Sequence, residues 1–440
     1  MITAASVVDR KPVLAHTQTF TMKLLTVLLS VAAPAAASIW AFDDASSALA
    51  QTGAPVAVTA KLTEAEMATA RAGRLGLMES APTTPTPLII PVQWQLGEAG
   101  GESRGSFLLP PGPAARRQFD WRASKTPFPE VMQAASDVTS GQMDLTDGGQ
   151  PVLRYNYQTI EPGAVLDKIS ADNRIYARAR SDYLHPLYGL HGEVLTRDWS
   201  VDHPHHRGIY WAWPEVDFGQ ERGDLHALQK VFARPTGKVK LHSGPVFAQI
   251  EAENQWLWDD REPIVRELAL IRAYRATPQG RVVDLTFQFT ALKDGVTIAR
   301  RGTDKYGGLN VRLETPKAQA ISVFTGPSNA VPRRAWSDLS GQFPGHDAAS
   351  GLTVLQHAQN PDYPSDWVQY PELSWCQPTF PASGKRFALQ PAKPLVLRYR
   401  LWIHAGARPE EEFLAKLWDL LHSPTAAQPT FEIIAIKPAN

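Results

Sequence analysis

The chain has 440 residues, 44 Lys plus Arg against 44 Asp plus Glu, and a single cysteine, Cys376. That length buries a substantial core without covalent staples, and the zero net charge leaves no basic stripe for a phosphate backbone. Nucleic acid is therefore not an expected partner. One thiol excludes an intramolecular disulfide and a cysteine-based zinc site, so any metal must be held by histidine and carboxylate side chains.

In chain order, "MKLLTVLLSVAAPAAASIWAFDDASSALAQ" (Met22 to Gln51) carries one lysine, an apolar run and then small residues, the layout of a secretory signal peptide. Residues 1–50 are read as a leader, with cleavage expected after Ala37 or Ala50, and the segment before Met22 as an upstream start artefact. Past residue 50 no apolar run approaches the roughly 20 residues needed to span a bilayer. The mature protein is expected to be exported, periplasmic or extracellular, without a membrane span.

Residues 51–145 are expected to form a small β-rich domain, with strands in "PVAVTAKL" and "PLIIPVQWQL". Thr63 and Glu66 have the spacing of a capping box and predict one short helix. The Gly/Ser/Asp-rich "SDVTSGQMDLTDGGQP" punctuates the chain before a second strand series from Val152. There Val246, Ala248, Ile250 and Ala252 alternate with Gln249, Glu251 and Glu253. Val283, Leu285, Phe287 and Phe289 do the same, as do Leu397, Tyr399, Leu401 and Ile403. Period-2 patterns predict half-buried antiparallel strands, hence a mainly β protein whose residues 150–425 form a large antiparallel sandwich. Arg408 to His422 predicts the one long helix, with Pro409 near its start, an acidic first turn and the stripe Phe413, Leu417, Leu420, Leu421; residues 426–440 are a tail.

The chemistry concentrates in "LHPLYGLHGEVLTRDWSVDHPHHRGIYWAWPEVDFG" (Leu184 to Gly219), which holds five of the twelve histidines. Strand alternation would set His203 and His205 on a common face and turn His206 away, while Pro204 argues for an edge or loop. His226 and His242 are read as structural. No helical His-Glu-x-x-His spacing occurs, so a metal rests on clustering alone. Three chemistries fit: a zinc, copper or iron site with imidazole ligands, acid and base work by His and Asp on a substrate hydroxyl or ring oxygen, or ligand binding without reaction. A surface turn of solvated histidines is the competing plain reading. The flanking Trp199, Tyr210, Trp211 and Trp213, with Trp367, Tyr370 and Trp375 farther on, suit a sugar ring, whose apolar face packs on an aromatic one. "RGTDKYGGLNVRLE" (Arg301 to Glu314) offers Lys305 and Arg312 as cationic groups.

At these residues the chain resembles a bacterial family labelled PmoA-like, or "methane oxygenase PmoA". The resemblance covers roughly residues 85–420 and rests on "HPLYGLHGEVLTRDWSVDHPHHRGIYWAW", "TDKYGGLNVRL", "RAWSDLSG" and "HAQNPDYPSDW". Where that family is expected to carry Lys-Glu-Gly, this chain has Lys305-Tyr306-Gly307. The label is not a function, since the membrane oxygenase subunit of that name is membrane-spanning. By analogy the pattern is also similar to the galactose-mutarotase-like supersandwich, where histidines and a carboxylate on the concave sheet act on a sugar ring.

The expected function is therefore an exported carbohydrate-active protein acting on a sugar or glycoside by hydrolysis, elimination or epimerisation. Its expected catalytic residues are His185, His203, His205, His206, Asp202 and Arg207, with Asp202 orienting an imidazole. Expected substrate-binding residues are Tyr188, Trp211, Trp213, Lys305, Arg312, His357, Asn360 and Trp367. The first alternative is a metalloprotein, oxidative with copper or iron or hydrolytic with zinc, whose divalent ion is held by His203 and His205 with His185 as a third candidate. The second is a glycan-binding protein without catalysis. The partner in each sugar reading is a carbohydrate or polyol small molecule.

Overall fold

In the computed structural model, residues 39–42, 52–79, 88–98, 100–110, 117–323, 335–423 and 431 are described. Most of the leader-like segment, with both cleavage positions, lies outside them, as does nearly all of the tail. No helix among the described residues is long and apolar enough to cross a membrane.

Among the described residues, sixteen strands build the sandwich. In chain order they are β1 (Met132–Ser136), β2 (Met143–Asp147), β3 (Gln150–Asn156), β4 (Tyr183–Leu187), β5 (Ile209–Ala212), β6 (Val231–His242), β7 (Phe247–Trp258) and β8 (Glu262–Tyr274). There follow β9 (Arg281–Ala291), β10 (Gly308–Arg312), β11 (Lys317–Val323), β12 (Trp336–Gln342), β13 (Ser350–Gln356), β14 (Trp367–Tyr370), β15 (Trp375–Pro378) and β16 (Leu395–Ala405). One eight-stranded sheet runs β14-β15-β10-β5-β4-β3-β2-β1 and the other β6-β7-β8-β9-β16-β13-β12-β11, with antiparallel neighbours throughout. The mainly β, antiparallel sandwich read from the sequence is what the chain forms.

The alternation is the cause. Ala248, Ile250 and Ala252 of β7, Val283, Leu285, Phe287 and Phe289 of β9, and Leu397, Tyr399, Leu401 and Ile403 of β16 all enter one core between the sheets. Their opposite numbers are not solvated, contrary to the half-buried expectation: Gln249, Glu251, Arg272, Asp284 and Arg400 are buried too. The N-terminal strands and the C-terminal helix cover that face. Val56, Phe107 and Trp121 share a second core with Val282, Trp336, Leu355 and Trp402 of the sheet and with Leu414 and Leu417 of the helix.

That N-terminal region holds a three-stranded sheet, a four-stranded sheet and a helix, α1 (Glu64–Arg71). Thr63 caps the helix, and the reciprocal box forms: the Glu66 N–H donates to Thr63 Oγ1 at 3.3 Å and the Thr63 N–H to Glu66 Oε2 at 2.8 Å. The C-terminal helix, α2 (Glu411–Leu421), begins later than Pro409 suggests, and Leu414 joins Leu417, Leu420 and Leu421 on its buried face.

One boundary differs from the sequence reading. The large sheet starts at Met132, because the Gly-rich stretch before Val152 is not a linker but the hairpin turns of β1-β2-β3. Gly148 and Gly149, at φ +57° and +82°, form the two-residue connection that suits the right-handed strand twist.

Candidate functional site

The site sits on the outer face of the first sheet. On β5, Ile209 and Trp211 enter the sandwich core, as do Leu309 and Val311 of β10 and Cys376 of β15. The period of two then sends Tyr210, Asn310, Arg312, Trp375 and Gln377 to the other side. All five are buried there, so something covers them.

The cover is the segment 198–208. It is not a strand but a turn: the His206 N–H donates to the His203 carbonyl at 2.9 Å, with Pro204 and His205 between them. Proline suits the second position of such a turn, where its fixed φ and missing N–H cost nothing. The strand expectation that His206 points away is thereby corrected, because the turn folds all three rings together. His203 and His206 centroids lie 4.9 Å apart, His205 and His206 4.7 Å, and His203 and His205 5.9 Å. Gly208 anchors the end of the turn at φ +69°, where a Cβ would meet the Leu184 carbonyl oxygen at 2.2 Å. Its own carbonyl accepts from the Arg312 N–H at 3.0 Å and from Asn310 Nδ2 at 3.2 Å.

A fourth histidine arrives from elsewhere. His226, read from the sequence as structural, lies in the loop closed by the Asp224–Gln229 bridge, and its ring centroid is 4.5 Å from His205 and 5.3 Å from His206. Arg301 pairs with Asp224 at 2.7 Å, and Arg180 donates to the carbonyls of Leu225 and His226. Nδ1 of His226 lies 3.0 Å from the Tyr210 hydroxyl, which leaves Nε2 for the cluster. One ring nitrogen from each of His205, His206 and His226 lies within 4.8 Å of the other two.

Burial sets the charge state of these rings. It lowers His205 to about 3, with the positive charge of Arg180 adding to the effect. It also holds His206 and His226 well below the usual imidazole range, helped by the neighbouring histidines. All three are neutral at pH 7, the form that binds a metal. Nδ1 of His205 and Nδ1 of His206 are buried and have no hydrogen-bond partner. Tetrahedral zinc would set its ligand nitrogens roughly 3.3 Å apart, so a shift of about 1 Å per ring suffices to close the set.

Around the trio, Asp202 Oδ2 lies 3.0 Å from His203 Nδ1 at the exposed rim, where the two side chains are 49% and 40% accessible. Trp375 approaches His206 at 4.9 Å and stacks on Tyr370 at 4.9 Å, and Tyr306 stands 5.5 Å from Trp375. Tyr176, from the short helical turn Ala171–Tyr176, packs 5.4 Å from His205. Arg312, lowered to about 10 by burial and by Arg197, keeps its charge at pH 7.

Other expected residues lie elsewhere. His185 turns its Nδ1 to Thr196 Oγ1 at 3.0 Å, so the metal set His203, His205, His185 gives way to His205, His206, His226. Arg207 is fully buried, bonded to Asp198 and Tyr183 and lying 3.5 Å over Trp199, which makes it an anchor of the loop. Trp211 and Trp213 stack on each other at 4.7 Å inside the core, and Trp367 belongs to the same core. Tyr188 bridges to Val194, and Lys305 is exposed. His357 packs 4.4 Å from His422 beyond α2, and Asn360 bonds both main-chain groups of Arg398; both therefore hold a loop against β16.

Residues 142–419 match the family DUF6807, described as a family of unknown function. No curated protein matches the chain. Among solved structures, a polysaccharide lyase is similar at 11% identity over 66% of this chain and 34% of its own, with a TM-score of 0.27. The chain thus spans about a third of that enzyme's length, and a likeness this remote carries no argument about activity. The family match takes in every residue of the histidine cluster and well over half of the chain, so the protein belongs to the DUF6807 family.

Proposed function

We propose that the protein is a metal-dependent enzyme acting on a carbohydrate or related polyol at the outer face of the first sheet. The observation that carries this reading is the convergence of three neutral imidazoles, His206 and His226 buried and His205 partly buried, from two separate loops, with ligand nitrogens within 4.8 Å of one another. Of the alternatives open in the sequence, this favours the metal site over histidines acting alone. Nitrogen-rich ligation suits zinc, copper, iron or nickel, and an ion there would polarise a substrate hydroxyl or carbonyl.

The chain's own groups supply the rest. His203, at the rim and bonded to Asp202, is placed to give or take a proton, and the carboxylate fixes the orientation of its ring. Trp375, Tyr306, Tyr370 and Tyr176 form an aromatic wall beside polar groups that can take hydroxyls, which supports a sugar-sized ligand. The leader-like segment supports export, and the four sequence motifs support kinship with PmoA-like proteins; both remain proposals drawn from the sequence.

The test is turnover of a panel of glycosides and free sugars by protein as purified, after chelation and after metal return. Activity lost on chelation and restored by one metal supports the reading. Activity indifferent to chelation returns the histidines to acid and base work alone.

A further inference from the structure

Five arginines, Arg180, Arg197, Arg207, Arg301 and Arg312, lie at the site with five carboxylates that act on them, Asp182, Asp198, Asp202, Asp224 and Glu314, but not every guanidinium nitrogen has an acceptor. Arg207 is paired with Asp198, and Arg301 with Asp224. Among the described residues Arg180 and Arg312 form no direct ion pair, and Asp182 acts on Arg180 only at longer range. Arg180 donates to the carbonyls of Leu225 and His226 and lies 4.3 Å from the Tyr210 ring centroid. Arg312 is 2% exposed and donates from Nη2 to Ser200 Oγ at 3.2 Å, while its Nε and Nη1 have no hydrogen-bond partner. Asp202 and Glu314 act on it only at longer range, and Arg197 adds a like charge. Buried guanidinium nitrogens without an acceptor are costly, and Nε and Nη1 of Arg312 are two such nitrogens beside the histidine turn.

We propose that the ligand of this site carries a carboxylate that accepts hydrogen bonds from the unpaired nitrogens of Arg312, which makes it an acidic sugar rather than a neutral one. The proposal rests on the reading of the site as a sugar pocket. A single carboxylate would satisfy both open nitrogens with the charge-assisted hydrogen bonds at which arginine excels. The sugar ring then faces Trp375, Tyr306 and Tyr370, and its hydroxyls face the histidine cluster.

Isothermal titration of the full chain with D-glucuronate, D-glucose and inorganic phosphate tests this, on protein as purified and after chelation. Glucuronate should bind about 30-fold more tightly than glucose and more tightly than phosphate, the difference expected for charge-assisted hydrogen bonds. In Arg312→Gln that preference should vanish, and in Arg312→Lys, which keeps the charge but loses the planar donor set, it should shrink. Equal binding of glucose, tighter binding of phosphate, no detectable binding of glucuronate, or a preference unchanged in a folded Arg312 variant would overturn the proposal. If Arg312→Gln does not fold, Arg312→Lys decides. The chelated arm separates the two readings: an Arg312-dependent preference that survives chelation keeps the carboxylate site whether or not the histidines hold a metal, whereas absence of metal from the protein as purified rejects the metal reading alone.

Discussion

The Tyr210 hydroxyl lies 3.0 Å from Nδ1 of His226, and the two rings stack with centroids 5.9 Å apart and 4° between their planes. Tyr210 comes from β5 and His226 from a loop beyond it, so this contact ties the sheet face to the only member of the trio outside the His203–His206 turn. Such a bond fixes which nitrogen the imidazole presents. Tyr210→Phe keeps the ring stack and the Arg180 contact but deletes the hydroxyl. Metal affinity should fall by about 10–100-fold with the fold intact, as read by competition with a chromophoric chelator.

His203 and His205 are close in sequence but differ in role. His203→Ala should retain metal stoichiometry and lose most turnover, since its Nδ1 is engaged with Asp202 at the rim. His205→Ala should lose both. Equal metal loss in the two variants would place His203 among the ligands.

The tryptophans separate in the same way. Trp211 is packed against Trp213, Phe287 and Phe289 in the core. Trp211→Ala should cost about 3–5 kcal/mol of stability in denaturant unfolding, as large core truncations do. Trp375→Phe should instead weaken sugar binding with a smaller loss of stability. A non-catalytic glycan binder whose key ring is Trp211 would show the opposite pattern.

His357 gives a pH signature away from the site. Burial, with His422 and the charges of Arg398 and Arg400 nearby, lowers it to about 3. Unfolded, it titrates near 6.5. Between those values the unfolded chain binds the extra proton, so its contribution is complete above about pH 6.5 and is lost as pH falls toward 3. Replacing His357 by Asn keeps an acceptor for the Gln359 N–H. The variant should flatten the stability profile across that window by up to about 1.4 kcal/mol per pH unit, with ligand binding unchanged. Parallel profiles for the two proteins would show that His357 is not held neutral.

The sandwich was legible because alternation is a local property: Val283 to Phe289 and Leu397 to Ile403 name their buried faces without knowledge of their neighbours. The covered outer face of the second sheet was not, since Gln249 and Arg272 are polar and only the N-terminal region above them makes them buried. At the site, the cluster from Asp202 to His206 announced itself by composition, and Arg312 by its place in a polar segment. The period rule misled for His206 because Pro204 makes a turn there. His226 gave no signal, as it lies 20 residues from His206 and reaches the cluster through a loop pinned by Arg180 and Arg301. Trp211 and Trp213 misled for the converse reason: beside the histidines in sequence, they lie on the other side of the sheet.

The central claim is that His205, His206 and His226 hold a metal. Elemental mass spectrometry on protein purified without chelator, beside a His205→Ala/His226→Ala double variant checked for folding, tests it most directly. The expected result is about one transition-metal ion per chain in the first protein and none in the second. No metal in the first, or an equal amount in the folded variant, would contradict the claim and leave the three imidazoles as groups that bind substrate or move protons.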